Sequence, residues 1–513
     1  MKYKKITVFL IICLIYNIFI CDKGAMSIPD ENLYYEAVLA MDALSQKNFP
    51  NFSGHINNTR GKPGDAIFRL PSVTLQGLLY HFKGISPANL DSLKIPVFFN
   101  ILVNLVLLFV LYLLAELLFQ HSTYALLTVI LYKLLVNSNI YIRHILPYEK
   151  SLLCLLLVLY IYFRKRDKSI LINFGLGILC GISFTIYPGY YYIPVFIGFI
   201  YFSENIVLQR NFRDFIKNGM SILSGFICII FGLELFSYVG GESYLWASST
   251  LSDTISQGSF DESLAFPVKY LAEVEQIPGF ILLFTAVIML FKSAKLLSAK
   301  KDISVIAGNP FYLLFCIGFI GIVAHGTLGT LFHKMVFYGR LMHLYMPFLV
   351  ITLVYLIRQV KTTNRQILLF TAVLLFFSAH FIHFTIEYQK LGYPKDMLYD
   401  LKIDNRKFRS DQFYNESSDT LFLAISPNPI NKKTNYPYHT DSNFILVNCC
   451  YYYPQENVLH YKPFTPSKNM KRVADRQHYQ TFPAYTFEGL NRTERRNVRK
   501  RNYRIQFYKT AVL

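Results

Sequence analysis

The chain has 513 residues, 53% of them hydrophobic, and a mean hydropathy of +0.32. These values exclude an ordinary soluble protein, because apolar runs long enough to cross a bilayer recur along most of the length. The formal net charge of +19 is therefore interpreted as a signal of membrane topology before any hint of nucleic acid. The 8 cysteines are scattered without metal-ligand spacing, and no disulfide framework is predicted.

The first segment has a lysine-rich start, followed by an apolar run from 6 to 20. A signal peptide has the same pattern, and cleavage near Cys21 is the alternative interpretation. No small-x-small motif precedes that position, so we predict an uncleaved first span. The positive-inside rule then places the N-terminus in the cytoplasm.

A polar segment, residues 21–95, follows and is predicted to be a long outer loop. Its amphipathic pieces at 34–44 and 73–82 are expected to form helices that lie on the membrane surface. The further apolar runs predicted to cross the membrane are 96–119, 123–140, 151–163, 169–186, 190–203, 218–239, 277–292, 309–325, 341–357 and 366–384. The sequence thus predicts a polytopic α-helical membrane protein with about eleven transmembrane helices.

Clusters of lysine and arginine alternate with these predicted spans, as the positive-inside rule requires. The clearest inside marker is the basic cluster 164–168, which follows the fourth span. Two short outer loops, 141–150 and 325–340, are basic on the wrong side. A functional demand for cations would explain them, and the alternative is a span count that is wrong by one.

The remaining residues, 385–513, contain no apolar run that could span a membrane and are predicted to form a small mixed α/β domain outside it. Short runs of strand-forming residues lie at 420–424, 443–447 and 503–510. The stretch 471–504 is strongly basic, which indicates contact with anionic lipid or glycan phosphate, or else a solvated charged face. We therefore divide the chain into a transmembrane domain, 1–384, and a C-terminal extracytoplasmic domain, 385–513.

Acidic and basic residues are concentrated next to the predicted outer face. Asp30 and Glu31 follow the first span almost at once, where lipid headgroups begin, and charge at such a depth usually marks a functional cavity. The alternative is that both acids begin a helix on the membrane surface. Glu149 stands at the start of the fourth span, where it either serves the site or caps that span. The cations expected near these acids are Lys62, Arg143, His144 and Arg340.

A carboxylate among cations at a membrane boundary is suited to one task. The carboxylate takes a proton from an acceptor hydroxyl or amine. The cations hold the phosphate of a lipid-linked donor and stabilise it as it leaves. This interpretation requires the first outer loop and the loops 141–150 and 325–340 to meet in space.

Several short motifs recur along the chain. In the first loop they are the acidic pair, Tyr34-Tyr35-Glu36-Ala37, Phe49-Pro50 and Lys62-Pro63. Further along they are the segment 141–149, the glycine-rich stretch 175–181 and the segment 340–347. Together they resemble the polyprenol-phosphate-sugar glycosyltransferases of the GT-C superfamily. The nearest branch contains the protein O-mannosyltransferases and the bacterial lipid A aminoarabinose transferases. The resemblance covers roughly residues 1–385.

The resemblance implies a GT-C-like fold and transfer of a sugar from a polyprenyl-phosphate donor to a lipid, glycan or protein acceptor, with inversion. It implies Asp30 as the catalytic base, Glu31 as its neighbour, Glu149 as a second site acid and Lys62 as a contact of the donor phosphate. Their charge and predicted side of the membrane add three cations to the donor-phosphate site: Arg143, His144 and Arg340.

Two local patterns qualify this interpretation. The family usually has Lys-Pro-Pro where this chain has Lys62-Pro-Gly-Asp65, which indicates a reshaped loop around Lys62. The tyrosine-rich run 187–192 is predicted to be an aromatic belt at the membrane interface, in preference to a platform for a sugar ring.

The expected partners are the lipid-linked donor, its acceptor and membrane lipids, with no nucleic acid, in the plasma (inner) membrane. No cofactor is assigned, and a divalent metal beside Asp30, Glu31 and Glu149 stays an option, although no closed ligand set is visible. The alternative functions are a polymerase or ligase of lipid-linked glycans and a flippase without GT-C chemistry. A transporter would need charged or broken helices near the midplane. A third alternative is a non-catalytic assembly protein that retains the fold.

Overall fold

The structure, a computed structural model, describes residues 3–22, 24–25, 29–59, 61–85, 87, 89–165, 169–256, 264–300, 302–332 and 339–390, and six short strands between 413 and 510. Seven described helical stretches are long and apolar enough to cross a membrane: Asp91–Phe119, Pro188–Leu208, Phe212–Val239, Phe266–Ala299, Pro310–Leu331, Gly339–Arg358 and Thr363–Gln389. Each coincides with a predicted span, and together they are consistent with a polytopic helical membrane protein.

The described helices, in chain order, are α1 Lys4–Ile20, α2 Tyr34–Ser45, α3 Phe49–Asn57, α4 Pro63–Lys83, α5 Leu90–Phe119, α6 Ser122–Lys133, α7 Tyr148–Arg164, α8 Ile170–Ile186, α9 Tyr192–Phe202, α10 Phe212–Val239, α11 Tyr244–Ser256, α12 Phe266–Tyr270, α13 Gln276–Lys300, α14 Ser304–Ala307, α15 Pro310–Phe332, α16 Gly339–Arg358 and α17 Thr363–Lys390. Short 3-10 turns precede α2 and α9 at Pro29–Leu33 and Pro188–Tyr190. Turns of π-helix follow α9 at Ser203–Leu208 and join α12 to α13 at Leu271–Glu275.

Four predicted spans coincide with shorter helices. Helices α1, α7 and α8 have 17 residues each, and α6 has 12. At 1.5 Å per residue, 17 residues extend about 26 Å, close to the hydrocarbon thickness, whereas 12 residues extend only about 18 Å. The number of eleven spans therefore stays a prediction.

The third predicted span, 123–140, is longer than the helix that the structure has there. Helix α6 ends at Lys133, and residues 134–147, here called the buried segment, continue as turns. Every residue from 135 to 150 is buried, so this segment is not an open surface loop. Non-helical backbone is tolerated at membrane depth where other groups of the protein form hydrogen bonds with its polar atoms. Side chains of Ser138 and Asn139 do so by donating to carbonyls of Lys133 and Leu135.

Helices α8 and α10 pack closely because two glycines leave room between their backbones. A Cβ at Gly177 would overlap the carbonyl of Ile222, and a Cβ at Gly225 would overlap the carbonyl of Phe174. Small residues allow helix backbones in a membrane to approach in this way. Close packing thus gives a physical reason for part of the glycine-rich stretch at 175–181.

Helix α4 in the first outer loop has its polar face turned inward. Asp65, Arg69, Ser72 and Gln76 are buried along one side. The opposite side exposes large apolar residues: Ile67, Phe68, Leu75, Leu78 and Phe82. The predicted amphipathic piece at 73–82 is therefore part of a longer helix. Its outward apolar side is the arrangement expected of a helix that lies against lipid.

Beyond the end of α17, the described part of the tail consists of strands. They are β1 Phe413–Asn415, β2 Phe444–Asn448, β3 Cys450–Tyr453, β4 Val458–Tyr461, β5 Met470–His478 and β6 Tyr503–Thr510. One sheet has the order β1-β2-β6-β5, in which only β1 and β2 run parallel, and β3 pairs with β4 in an antiparallel ribbon. Strands β2 and β6 coincide with the predicted strands at 443–447 and 503–510, whereas 420–424 lies outside the described residues. The position of this region outside the membrane stays a prediction.

Candidate functional site

Two cations from distant parts of the chain meet at the carboxylate of Asp30. The Oδ2 atom of Asp30 lies 2.8 Å from Nη1 of Arg340 and 3.8 Å from Nζ of Lys62. Asp30 belongs to the 3-10 turn Pro29–Leu33, Lys62 caps the start of α4, and Arg340 lies in the first turn of α16. The side chain of Asp30 is 28% exposed, so solvent reaches this ion pair. The structure thus brings together the predicted base and two of its predicted cations.

Tyrosines hold both cations of this pair. Nη1 of Arg340 also donates to the hydroxyl of Tyr148 at 2.8 Å, and the Tyr190 hydroxyl donates to the Arg340 carbonyl at 2.8 Å. The ring of Tyr187 lies 5.6 Å from Nζ of Lys62 and 4.9 Å, between centroids, from the ring of Tyr148. Aromatic faces attract cations at this range. The tyrosines therefore restrict both cations to positions beside the carboxylate.

The tyrosine-rich run 187–192 is not the interfacial belt that its composition predicts. Tyr187, Tyr190 and Tyr192 are all buried. The 3-10 turn at Pro188–Tyr190 turns the run inward, where Tyr187 lies beside the Lys62 ammonium and Tyr190 donates to the Arg340 carbonyl. Composition could not distinguish the two arrangements, because tyrosine is common both at membrane interfaces and around cations.

Glu31 joins the first outer loop to the buried segment. Its Oε1 accepts the backbone N–H of Ile145 at 2.6 Å, and its Oε2 lies 3.2 Å from Nδ1 of His144. The carbonyl of His144 in turn accepts a hydrogen bond from the side chain of Asn100 at 2.6 Å. These contacts orient the turn that carries Asp30. The predicted catalytic role of Glu31 and the donor-binding role of His144 stay predictions.

Arg143 is completely buried and packs against the end of α17. Its guanidinium carbon lies 3.5 Å from the ring centroid of Tyr388, and Nη1 donates to the Tyr388 carbonyl at 3.3 Å. The Tyr388 hydroxyl donates back to the carbonyl of Ile140 at 2.6 Å. These contacts tie α17 to the buried segment, and a role of Arg143 at the donor phosphate stays a prediction.

Glu149 lies in the first turn of α7 and is almost completely buried, at 3% exposure. Among the residues that the structure describes, its Oε1 has no hydrogen-bond partner. Burial raises the pKa of Glu149 to about 7, although its own backbone N–H and the nearby Lys150 and Lys133 act in the opposite direction. A buried acid that titrates near neutral pH is suited to accepting or donating a proton. Both predicted interpretations, site acid and helix start, fit this position.

A buried ion cluster holds the start of α4 against α7. Oδ1 of Asp65 lies 2.6 Å from Nζ of Lys150, and Asp65 also pairs with Arg69 one turn later. Nη2 of Arg69 donates to the carbonyl of Ile145 at 2.9 Å. Burial raises the pKa of Asp65, but the two cations outweigh burial and hold that pKa below its usual value. The cluster thereby fixes the helix start that carries Lys62.

Gly64 gives a physical reason for the departure from the Lys-Pro-Pro pattern. A Cβ at Gly64 would overlap the Thr185 side chain and lie 2.9 Å from the backbone nitrogen of Ile186, at the end of α8. The chain therefore requires glycine at this contact, and the next residue, Asp65, supplies the carboxylate of the ion cluster. One feature of the sequence could have indicated the ion cluster. Asp65 and Arg69 are four residues apart, a spacing that favours an ion pair on a helix.

Two cations, Lys62 and Arg340, lie beside the single carboxylate of Asp30. Two positive charges against one negative charge favour an anionic ligand. No group of three or more His, Cys, Asp or Glu side chains within the described ranges is placed to hold a metal ion.

No model of a known protein family matches this chain, and no curated protein matches it either. A function is therefore inferred from the site, together with the motifs in the sequence.

Proposed function

We propose that this chain is a GT-C-type glycosyltransferase. It moves one sugar from a polyprenyl-phosphate donor to a lipid, glycan or protein acceptor on the outer face of the plasma membrane. Eleven transmembrane helices carry the site, the N-terminus is cytoplasmic, and residues 385–513 form a domain outside the membrane. The first-loop motifs and the charges around Asp30 support this proposal.

The contact of Asp30 with Arg340 and Lys62 is the observation that carries the proposal. Asp30 and Arg340 are 310 residues apart in the sequence, so their contact is a product of the whole fold. A partly exposed carboxylate between two cations supplies both parts that transfer from a lipid phosphate needs. One part is a base for the acceptor, and the other is a ligand for the leaving phosphate.

The proposed reaction is a single displacement. Asp30 takes the proton of the acceptor hydroxyl, and the acceptor oxygen attacks the anomeric carbon while the bond from that carbon to the phosphate oxygen breaks. The electron pair of the broken bond leaves with polyprenyl phosphate, whose growing negative charge Lys62 and Arg340 stabilise. Attack opposite the leaving group inverts the configuration at the anomeric carbon.

Donor binding also prepares the base in this mechanism. In the structure, Arg340 and Lys62 are paired with Asp30. The donor phosphate competes for the same two cations, because charged phosphate oxygens form strong hydrogen bonds with arginine and lysine. As the cations turn to the phosphate, the carboxylate of Asp30 becomes free to accept a proton. The donor therefore binds before the acceptor reacts.

Sugar transfer from a panel of radiolabelled polyprenyl-phosphate sugars tests the proposal in membranes that contain the wild-type chain or Asp30→Asn at equal amounts. We expect transfer from one donor by the wild type and a loss of at least about a hundredfold in Asp30→Asn, which keeps the shape but cannot accept the proton. Asp91→Asn is the matched control, because Asp91 pairs with Lys94 at an exposed helix start and has no role in the proposed reaction.

Full activity of Asp30→Asn would remove Asp30 from the mechanism and direct attention to Glu149. An equal loss in Asp91→Asn would indicate a general effect on folding. No transfer from any donor by well-folded wild type would contradict the proposed reaction.

A flippase for lipid-linked glycans is the second candidate, and one observation favours it. Transport sites near the midplane are built from charged residues and broken helices. Here α6 ends at the buried Lys133, and the buried Glu275 ends the π-turn between α12 and α13. Proteoliposomes with a fluorescent polyprenyl-phosphate sugar distinguish the flippase from the transferase. Loss of the label's fluorescence to an external quencher, without sugar transfer, would favour the flippase.

A further inference from the structure

Helices α12 and α13 are joined by a strained turn inside a membrane-spanning stretch. The π-turn Leu271–Glu275 leads to Gln276, whose φ of 50° and ψ of −120° are rare for a residue with a side chain. Such strain persists where the surrounding structure stabilises it, and π-turns of this kind are frequent at functional sites. The turn ends in Glu275, a fully buried carboxylate that the proposed reaction does not use.

The carboxylate of Glu275 binds the backbone of the buried segment. Oε1 accepts the N–H of Asn137 at 2.8 Å, and Oε2 accepts the N–H of Val136 at 3.0 Å. These N–H groups follow the end of α6 and need a protein partner at membrane depth. Glu275 therefore determines the orientation of Asn137.

The side-chain amide of Asn137 reaches α16. Its Nδ2 donates to the hydroxyl of Tyr270 at 2.7 Å and to the carbonyl of Gly339 at 3.0 Å. Its Oδ1 lies 2.9 Å from Nδ1 of His343, which donates because the amide oxygen can only accept. Two of these three contacts end on the first two turns of α16.

The first turn of α16 also carries the guanidinium of the proposed site. A Cβ at Gly339 would lie 2.5 Å from the ring of Tyr270, so the helix start fits closely beneath that ring. The carbonyl of the next residue, Arg340, accepts the hydrogen bond of Tyr190. Two consecutive carbonyls are thus anchored by Asn137 and Tyr190, which sets the direction in which the Arg340 side chain leaves the helix.

We propose that Asn137, oriented by Glu275, is a positioning residue that holds the Arg340 guanidinium against Asp30. The kinetic part of this inference rests on the proposed glycosyl transfer, whereas the placement of Arg340 is a property of the fold. A misplacement of about 1 Å can cost a hundredfold in rate when a charged group must meet a leaving phosphate.

A double-mutant cycle between Asn137 and Arg340 tests the inference. We expect Asn137→Ala to lower kcat about tenfold with little change in the KM for the acceptor, because the helix start loses its hydrogen bonds. In an Arg340→Ala background, Asn137→Ala should lower kcat less than about twofold, since no guanidinium is left to position. Asn139→Ala is the matched control: its amide binds carbonyls of Lys133 and Leu135 within the buried segment, and its effect should add to that of Arg340→Ala.

If Asn137→Ala lowers kcat by the same factor in both backgrounds, the inference is overturned. A residue needed only for stability would have the same effect on kcat with or without Arg340. A milder variant, Glu275→Gln, keeps the side-chain shape and removes one of the two acceptors, so it enters the same cycle where Asn137→Ala does not fold. We expect a smaller loss of kcat for Glu275→Gln, again absent in the Arg340→Ala background.

A readout without sugar transfer separates this inference from the proposed function. Asp30→Cys and Arg340→Cys, in a chain freed of its native cysteines, are cross-linked by a short bifunctional thiol reagent. We expect the yield to fall severalfold on adding Asn137→Ala and to stay unchanged on adding Asn139→Ala. An unchanged yield with Asn137→Ala would refute the placement whatever the reaction. The expected yields, together with no sugar transfer by the wild-type chain, would refute the reaction alone.

Discussion

Asp65 compensates two buried cations, Arg69 and Lys150, with one carboxylate. Asp65→Asn keeps the volume but leaves both cations without a full negative charge beside them. We expect the free energy of unfolding in detergent to fall by about 3–5 kcal/mol, the usual cost of breaking a buried ion pair. Asp91→Asn is the control, because exposed pairs such as Asp91 with Lys94 contribute only about 0–1 kcal/mol. Equal losses in both variants would contradict the role of Asp65.

Glu149 predicts a pH dependence of stability. Its pKa is about 7 in the folded chain and 4.5 for an ordinary glutamate. Between these values the folded chain binds the proton and the unfolded chain does not, so unfolding releases a proton and stability falls as pH rises. The fall amounts to about 3 kcal/mol over this window. Melting temperatures in detergent from pH 4 to 8 should show a smaller decline for Glu149→Gln, and parallel declines would exclude this explanation.

The residues of the site were predictable to different degrees, for physical reasons. Asp30 and Arg340 could be predicted from the sequence because charge next to an apolar run is costly and therefore informative. Lys62 was predicted only from the resemblance of its motif. The contacts of Asp65 with Lys150 and of Gly339 with Asn137 could not be predicted. The two residues of each pair lie 85 and 202 positions apart, and only folding brings them together. Tyr148 and Tyr190 were missed because the sequence does not distinguish a tyrosine that binds arginine from one that faces lipid.

At the scale of single elements, the contact of α8 with α10 depends on two glycines. Gly177→Ala would place a methyl group on the carbonyl of Ile222, and the helices would have to separate. We expect a marked loss of melting temperature and of monodisperse protein. Gly175→Ala lies on the same helix, where a Cβ meets nothing within 4 Å, and should be neutral or slightly stabilising. Similar losses in both variants would argue against close packing as the cause.

Helix α6 shows where a hydropathy pattern fails. The run 123–140 is apolar on average, so its length alone predicts a full span. The helix nevertheless ends at Lys133, and Ser138 and Asn139 bind the carbonyls of its last turn. Local side-chain hydrogen bonds of this kind compete with helix continuation. The Asn-Ser-Asn sequence at 137–139 is the one signal that could have indicated the break.

At the scale of the whole molecule, the span count decides which side holds each loop. Asp65 in the first loop contacts Lys150, and Glu31 contacts Ile145, so α6 and the buried segment together return the chain to the side of the first loop. Reporter enzymes that are active only outside should therefore be active when fused after residues 95 and 385, and inactive after 168. Activity after 168 would mean that α6 turns back without crossing.

The bond between Glu275 and the buried segment has a consequence for biosynthesis. The N–H groups of Val136 and Asn137 are synthesised 139 and 138 residues before the carboxylate that satisfies them. Helix α6 is short and ends in a lysine, so we expect it to enter the bilayer poorly on its own during translation. We expect ribosome-bound chains that stop before 275 to be cleaved by protease in the buried segment. Chains long enough to insert α13 should resist cleavage there. The buried segment would then reach its final structure only late in synthesis.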